Sequence, residues 1–468
     1  MFESNAQPPT RSGSRTGPGR ARCGLALVPL LLLFGTSFAT AADDPPDLAR
    51  LLSGSSGSAT TAPLAGLQVA TLENGRPSRS HALGFAQLGD GEPTPLRPDH
   101  RVRVASISKL VVALGVMRLV EAGALSLDDD VGEVLGFPLR NPAFPDVPIR
   151  VRHLLSHTSS LRDADAYFIA VGDGRLSDFF LPGAPRFDDG AHFDPEHAPG
   201  SYFTYANIGF GVLGSIIERA SGQRFDRYMT RAVLAPLGIA ARFDSCAIAP
   251  EQLAAAFRKR GDDGVWRPDG PWVAQVDAGV PRCVYGMDRM PAGTSVDEAL
   301  ADYELGSNGT LFSPQGGLRA SAEDLVVVLR LLAGGGVVDG IRLLSQASVD
   351  AMLSDEWTLD AGGDNGLSAG EAEPGGPTDG LMTSYGLSVH RIDPAAWGLE
   401  DAPALLVGHL GEAYGVLSHA LLDPSSGDGI VAIITGTADD PASAPPGTSP
   451  LYRVEEEILR WWLQQREP

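Results

Sequence analysis

The 468-residue sequence predicts an α/β fold of the α+β-sandwich kind. One antiparallel sheet is built from both ends of the chain and flanked by helices, with a mostly helical lobe inserted between its halves. Three observations carry this prediction. Strand-like runs occur early ("GLQVATLENGRPSRSHALGFAQL", from Gly66) and return late ("SYGLSVHRI", "ALLVGHL", "GVLSHALLD", "GIVAIIT"). Between them the apolar spacing is helical. The chain then closes on "YRVEEEILRWWLQQ", where Val454, Ile458 and Trp461 lie on one side of a helix. The expected organisation is a signal peptide over 1–41, a linker over 42–62, the sheet region over 63–105 and 310–465, and the helical lobe over 106–309.

Taken in order, Arg11, Arg15, Arg20 and Arg22 precede the apolar run "GLALVPLLLLFG", and small residues follow around Ala39-Thr40-Ala41. That order reads as a secretory signal, and the run is short for a spanning helix. The expectation is an exported chain, periplasmic or secreted, with no stable membrane span after cleavage. Residues 46–62 end in a Ser/Gly/Thr run that reads as linker. Asn74-Gly75 is a hairpin signal, although Pro77 and Ser78 behind it suggest a longer loop. From Ser106 apolar residues cover nearly the whole helix surface until Gly123 stops it, which marks a buried helix.

Asp128-Asp129-Asp130 lacks the alternation of a calcium loop and reads as a helix start. Further helices are expected over 207–220, ended by Gly222, over 224–235, and from Ser321, where Asp324 makes an acidic variant of the capping box. Two acidic, Gly-rich stretches, 163–200 and 355–380, are too long for ordinary connections and read as insertions.

Asp and Glu number 58 against 36 Lys and Arg, a formal charge of −22, and removal of the Arg-rich leader makes the chain more acidic still. Such a surface repels phosphate backbones and anionic lipid, so nucleic acid and membrane surfaces are set aside as partners. Cys246 and Cys283 remain after cleavage, in a compartment that permits oxidation. A disulfide between them is the favoured reading and two buried thiols the other. The bridge would contribute about 3 to 4 kcal/mol by constraining the unfolded chain.

Only two lysines occur, and one, Lys109, stands behind Ser106 and Ser108. Residues three apart share a helix face, so Ser106 can meet the Lys109 amine, whereas Ser108 points about 100° away. A serine is a weak nucleophile until a base takes its proton, and a desolvated lysine with a lowered pKa can do so. The same residues also suit a plain serine N-cap with a snorkelling lysine. Two further motifs decide: Tyr205-Ala206-Asn207 ahead of a buried helix, and His409-Leu410-Gly411 between two strands.

Here the chain resembles the serine hydrolases of the β-lactamase fold, which include class C β-lactamases, DD-peptidases of the same branch, and related esterases and D-amino-acid amidases. Their Ser-x-x-Lys, Tyr-x-Asn and Lys/His-x-Gly motifs occur in that order at Ser106 to Lys109, Tyr205 to Asn207 and His409 to Gly411. Supporting matches are "VRHLLSHTSSL", "SPQGGLRASAEDL" and "LLDPSSGDGIVAIITG", and the likeness runs from about residue 65 to 463.

The resemblance implies attack by Ser106 on a carbonyl to form an acyl-enzyme, with Lys109 and Tyr205 sharing the proton work. The charge of Lys109 would help Tyr205 act as a base, because a free phenol titrates near 10. Backbone N–H groups of Ser106 and Glu412 would form the oxyanion hole, and Asn207, His409 and Gly411 would meet the substrate. Gly411 would let substrate approach the backbone. His409 stands where lactamases of this class usually carry lysine. A histidine holds only partial charge at neutral pH, which favours an esterase, D-amino-acid peptidase or amidase over a true β-lactamase. Ser160 replaces the family's usual glycine, a conformational departure.

The alternative of another class is a non-catalytic penicillin-binding or sensing protein. The expected partner is a small-molecule or peptide substrate, with no cofactor and no metal. Competing signals are weaker. "GLSAG" around Ser368 matches a nucleophile elbow but lacks the strand before it and the helix after it. His153 and His157 lack the glutamate of a zinc protease. Asn308-Gly309-Thr310 fits a glycosylation sequon.

Overall fold

The structure, a computed structural model, describes residues 39–40, 45–56, 59–89, 92–261, 263–278, 283–371, 375–376, 378–399 and 402–466. The signal-like segment lies outside these residues except for Ala39–Thr40, which run parallel beside Arg79–Ser80.

Two long strands open the sheet, β1 (Gly66–Glu73) and β2 (Arg76–Gln87), joined by Asn74 and Gly75 alone. Both turn residues take positive φ, 49° and 71°, the conformation that matches the twist of a two-residue hairpin. The longer loop expected from Pro77 and Ser78 does not form. Leu72 pairs with Pro77 after a register shift at Ala70/Leu72, and β2 has no outer partner at Pro77 among the described residues, so its missing N–H costs no ladder bond.

The other strands come from the C-terminal third: β3 (Trp357–Thr358), β4 (Ser384–Tyr385), β5 (His390–Ile392), β6 (Leu406–Ala413), β7 (Val416–Leu422) and β8 (Gly429–Ile434). Their order is β2-β1-β8-β7-β6-β5-β4-β3, antiparallel throughout. The last long strand therefore lies against the first, with Val69 opposite Ala432, and the two chain ends close one sheet as expected.

Both faces of β7 and β8 are buried, so helices must cover the sheet on two sides. The helices that position the site and close the core are α1 (Pro46–Ser53), α2 (Ile107–Glu121), α3 (Ile208–Ser221), α4 (Ala322–Ala333) and α5 (Arg453–Gln465). On one face Val454, Ile458 and Trp461 of α5 pack with Leu48 and Leu51 of α1 against Leu67, Leu417 and Ile430. On the other, α2, α3 and α4 share the larger core.

α1 corrects the reading of 42–62 as linker. Pro46 starts the helix, Leu48 and Leu51 anchor it, and Gly54 closes it in the left-handed conformation at φ 81°. The expected capping box of α4 forms, with Ser321 and Asp324 bonding each other's backbone N–H. Asp130 caps the short helix Val131–Leu135, as a helix start should. The span 106–309 is not helical throughout: Ala256–Lys259 pairs with Trp272–Val276 and with Gly436–Thr437. Within it Cys246 and Cys283 are joined by a disulfide, their Cα atoms 5.5 Å apart. Among the described residues no helix is long and apolar enough to cross a membrane.

Candidate active site

Ser106 stands on a corner. The strand Val102–Arg103 is pinned by Arg319–Ala320, Ala105 then turns through φ 48°, and α2 begins with Ser106 as its N-cap residue. The Ser106 hydroxyl does not cap its own helix, which leaves it for Lys109. Ser108, the other candidate, is fully buried; its hydroxyl donates to the Ala105 carbonyl at 2.7 Å and accepts from Leu318 N–H at 3.0 Å. It holds the corner together and faces no substrate.

Lys109 Nζ lies 2.9 Å from Ser106 Oγ, 2.8 Å from Asn207 Oδ1 and 2.9 Å from the Gln315 carbonyl. None of these partners is a carboxylate, and the side chain is fully buried. Burial lowers its pKa to about 8, with Glu371 and Asp163 opposing the shift from a distance. A sizeable neutral fraction at slightly alkaline pH makes the amine able to take a proton from Ser106.

Tyr205 lines the same cavity as Ser106. Burial, then Tyr385 and Glu371, push its phenol well above the usual value, and Ser106 pulls only partly the other way. The expectation that the Lys109 charge readies Tyr205 as a base is thus reversed. Nζ sits 4.8 Å above the centre of the ring, and desolvation dominates at the hydroxyl. The resting group is a neutral phenol, suited to donating a proton. His157 fixes it from behind: its Nδ1 accepts from Ala206 N–H at 3.1 Å and its ring stacks on Tyr205 at 4.2 Å.

Asn207 Oδ1 accepts from Lys109 while Nδ2 donates to Asp163 and Glu371, at 3.0 and 3.1 Å, so its polar atoms are engaged within the protein. It orients the lysine. Asp163 also accepts the Asn207 and Ile208 N–H groups at 2.9 and 2.8 Å, satisfying the start of α3. Asp163 and Glu371 were invisible as site residues because each lies in a Gly-rich insertion without a motif.

On β6, a Cβ at Gly411 would stand 2.9 Å from Ser106 N and 2.7 Å from the Val104 carbonyl. The close approach that demands glycine is therefore to the backbone of the nucleophile's own corner. Ser106 N–H begins α2, where no carbonyl four residues back accepts it. β6 pairs with β5 only as far as Gly408, leaving 409–413 open on that side.

His409 lies behind the site, fully buried. Its Nδ1–H donates to the Leu410 carbonyl at 2.6 Å, which leaves Nε2 to accept from Tyr385 hydroxyl at 2.9 Å. Burial, reinforced by His390 and Lys109, holds its pKa well below the usual value. The partial charge expected of His409 is absent, and both its ring nitrogens are bonded within the protein.

A cavity of about 400 Å³ is lined by Ser106, Tyr205, His390, Gly411 and Glu412, with Glu455 of α5 and Glu371 of the second insertion. Glu455 is buried and raised to about 8, by desolvation and then by Glu412. His390 is missed by sequence reasoning. It is 2% exposed and faces the cavity, and neither ring nitrogen has a hydrogen-bond partner among the described residues.

The weaker candidates resolve as structural. Ser368 sits in a loop and accepts from Gly380 N–H at 3.2 Å. His153 accepts from Arg150 N–H at the start of a short helix that ends before His157. Asn308 is buried and donates to the Ile169 carbonyl, which closes the sequon to modification in the folded chain. Ser160 takes φ 61°, the conformation glycine would hold. Among the described residues, Asp244, Cys246 and Cys283 bring ligand-type atoms within 4.8 Å, but the two sulfurs are spent in the disulfide.

The family model described as Beta-lactamase matches residues 56–449. Esterase EstB of Burkholderia gladioli is 29% identical over 385 residues, covering 78% of this chain and 84% of that protein. Penicillin-binding protein 4* of Bacillus subtilis (strain 168) is 30% identical over 162 residues, 34% of this chain and a third (33%) of that protein. Among solved structures, the D-amino acid amidase from Ochrobactrum anthropi SV3 superposes with a TM-score of 0.54 at 20% identity, covering 86% of this chain and 93% of the other. At that identity the likeness speaks for the fold.

Proposed function

The chain belongs to the beta-lactamase family of serine hydrolases, and from that premise we propose that it is an exported enzyme that cleaves an ester or amide through a Ser106 acyl-enzyme. The observation that carries this reading is the buried Lys109 amine, in no contact with a carboxylate and 2.9 Å from Ser106 Oγ.

In its neutral form Lys109 takes the hydroxyl proton as Oγ bonds to the substrate carbonyl carbon. The carbonyl oxygen gathers negative charge, which the N–H groups of Ser106 and Glu412 receive. As the bond to the leaving group breaks, Tyr205 gives that group its proton and regains one from the Lys109 ammonium. Both side chains are then neutral again. Water repeats the sequence on the acyl-enzyme, losing its proton to the same pair and releasing the acid. Asn207 and Asp163 hold Lys109 and the start of α3 in place.

A β-lactam antibiotic carries a carboxylate, and the neutral His409 gives β6 no cation to meet it. This supports ester or amide substrates over the lactamase reading, in keeping with the names of the esterase and amidase relatives. The leader-like N-terminus and the disulfide support an oxidising, extracytoplasmic compartment.

Incubation of the wild-type chain and Ser106→Ala with 4-nitrophenyl acetate, followed by intact mass and product release, tests the reading. A single acetyl adduct and turnover are expected in the wild type alone. Label that persists in Ser106→Ala, or a wild type that neither acylates nor turns over, would overturn it.

A further inference from the structure

A second, smaller cavity of about 90 Å³ adjoins the corner that carries Ser106, and among its lining residues are Arg103, Tyr285, Ser313, Arg319 and Tyr414. Arg319 is satisfied: it makes a two-bond pair with Asp277, at 2.9 and 3.0 Å, and donates to the Gly317 carbonyl. Arg103 is not. It is 7% exposed, its Nε has no partner, and among the described residues its guanidinium meets no carboxylate, only the face of Tyr414 at 4.7 Å. Of the two buried guanidiniums only Arg319 has a carboxylate partner among the described residues, and a buried charge without a counter-charge is costly. Asp288, the acid on the described lining, is exposed.

The backbone around this cavity is unusual in the same place. Tyr414 turns from β6 into β7 at φ 58° and Ser313 holds φ 51°, both in a conformation that favours Gly, Asn or Asp. Tyr414 there lays its ring on Arg103. Tyr285, Ser313 and Tyr414 line this cavity together with Arg103, so three hydroxyl-bearing side chains share it with the unpaired guanidinium.

We propose that this cavity is a binding site for a small anion, a carboxylate group received by the Arg103 fork with hydroxyls from Tyr285, Ser313 and Tyr414 around it. The size fits: a water occupies about 30 Å³, so the space exceeds one or two waters and accommodates a carboxylate. The chemistry fits as well, since a planar guanidinium pairs with a carboxylate through two parallel bonds. The site is independent of the hydrolase reading, because none of its residues takes part in the acyl transfer.

The probe is ¹³C-labelled acetate, titrated at fixed ionic strength against the full chain and followed by line broadening. Saturable binding with a Kd of about 1 mM is expected, equal in Ser106→Ala, with Arg103→Gln weakening it about tenfold or more. Asp288→Asn removes a rim acid and is expected to tighten it about two- to threefold. Should Arg103→Gln fail to fold, Asp288→Asn and Tyr414→Leu decide, the latter weakening acetate. Absence of saturation by about 100 mM, or affinity indifferent to these substitutions, overturns the proposal. Rate assays then separate the sources. If acetate raises KM for 4-nitrophenyl hydrogen succinate and not for the butyrate ester, the site takes the substrate's own carboxylate; if it changes neither, the site takes a free one. Both results sustain an anion site.

Discussion

Lys109 and its three partners show how a side chain usually found in solvent becomes a base. Burial alone favours the neutral amine, and Ser106, Asn207 and Gln315 supply hydrogen bonds without the negative charge that would hold the proton. Lys109→Met should therefore remove acylation almost completely, by about four orders of magnitude, while leaving the melting temperature unchanged or higher because a buried ammonium is gone. Tyr205→Phe keeps the ring stacked on His157 and loses only the proton, so a loss of about 10² to 10⁴ in kcat is expected. Stopped-flow acylation with 4-nitrophenyl acetate measures the first, and steady-state turnover of an alkyl acetate, whose alkoxide leaving group needs a proton, measures the second. Ser106 and Lys109 could be read from spacing because three residues on a helix fix a face. The roles of Asn207 and His409 could not, since each depends on partners more than 20 residues away: Asp163, Glu371 and Tyr385.

At the level of elements, the site exists where β6 meets the corner before α2. Gly411→Ala would put a methyl carbon 2.9 Å from Ser106 N and 2.7 Å from Ser418 Oγ, and either β6 or the corner must yield. A fall of at least about a hundredfold in kcat is predicted, the size of a lost oxyanion donor, with the chain still folded by circular dichroism. The disulfide ties Cys246 to Cys283 across a sequence separation of 37. Replacing both by serine should lower unfolding stability by about 3 to 4 kcal/mol in urea titration, and reduction of the wild type should do the same. The hairpin at Asn74-Gly75 was legible because both residues suit positive φ; its tightness was obscured by Pro77, whose place on an open edge only pairing reveals. α1 was hidden for another reason. An eight-residue helix shows little periodicity, and Leu48 and Leu51 make sense only against α5 and the sheet.

Across the whole molecule, the joining of the two chain ends in one sheet followed from the order of strand-like and helix-like segments, and β1 beside β8 realises it. The same closure brings α5 over the cavity and buries Glu455 there beside Glu412. The folded-state pKa of Glu455, about 8, stands above the usual 4.5, so the folded chain keeps a proton that the unfolded chain releases between those values. Its stabilising effect is complete below about pH 4.5 and is lost as pH rises through about 8. Glu455→Gln should flatten the decline of stability over that window and add roughly 2 to 4 kcal/mol at pH 8, measured by denaturant unfolding across pH. That acids from an insertion and from the last helix meet at one cavity was beyond the reach of the linear sequence, because neither segment carries a motif and only the closed sheet aligns them.

Catalysis here depends on neutral Lys109 activating Ser106. The pH dependence of single-turnover acylation by 4-nitrophenyl acetate tests it most directly, with Lys109 the titrating group. The rate should rise with pH through an apparent pKa of about 8, as the buried amine loses its proton, and should vanish in Lys109→Met. A rate flat across this range, or one whose midpoint survives the loss of Lys109, would contradict it.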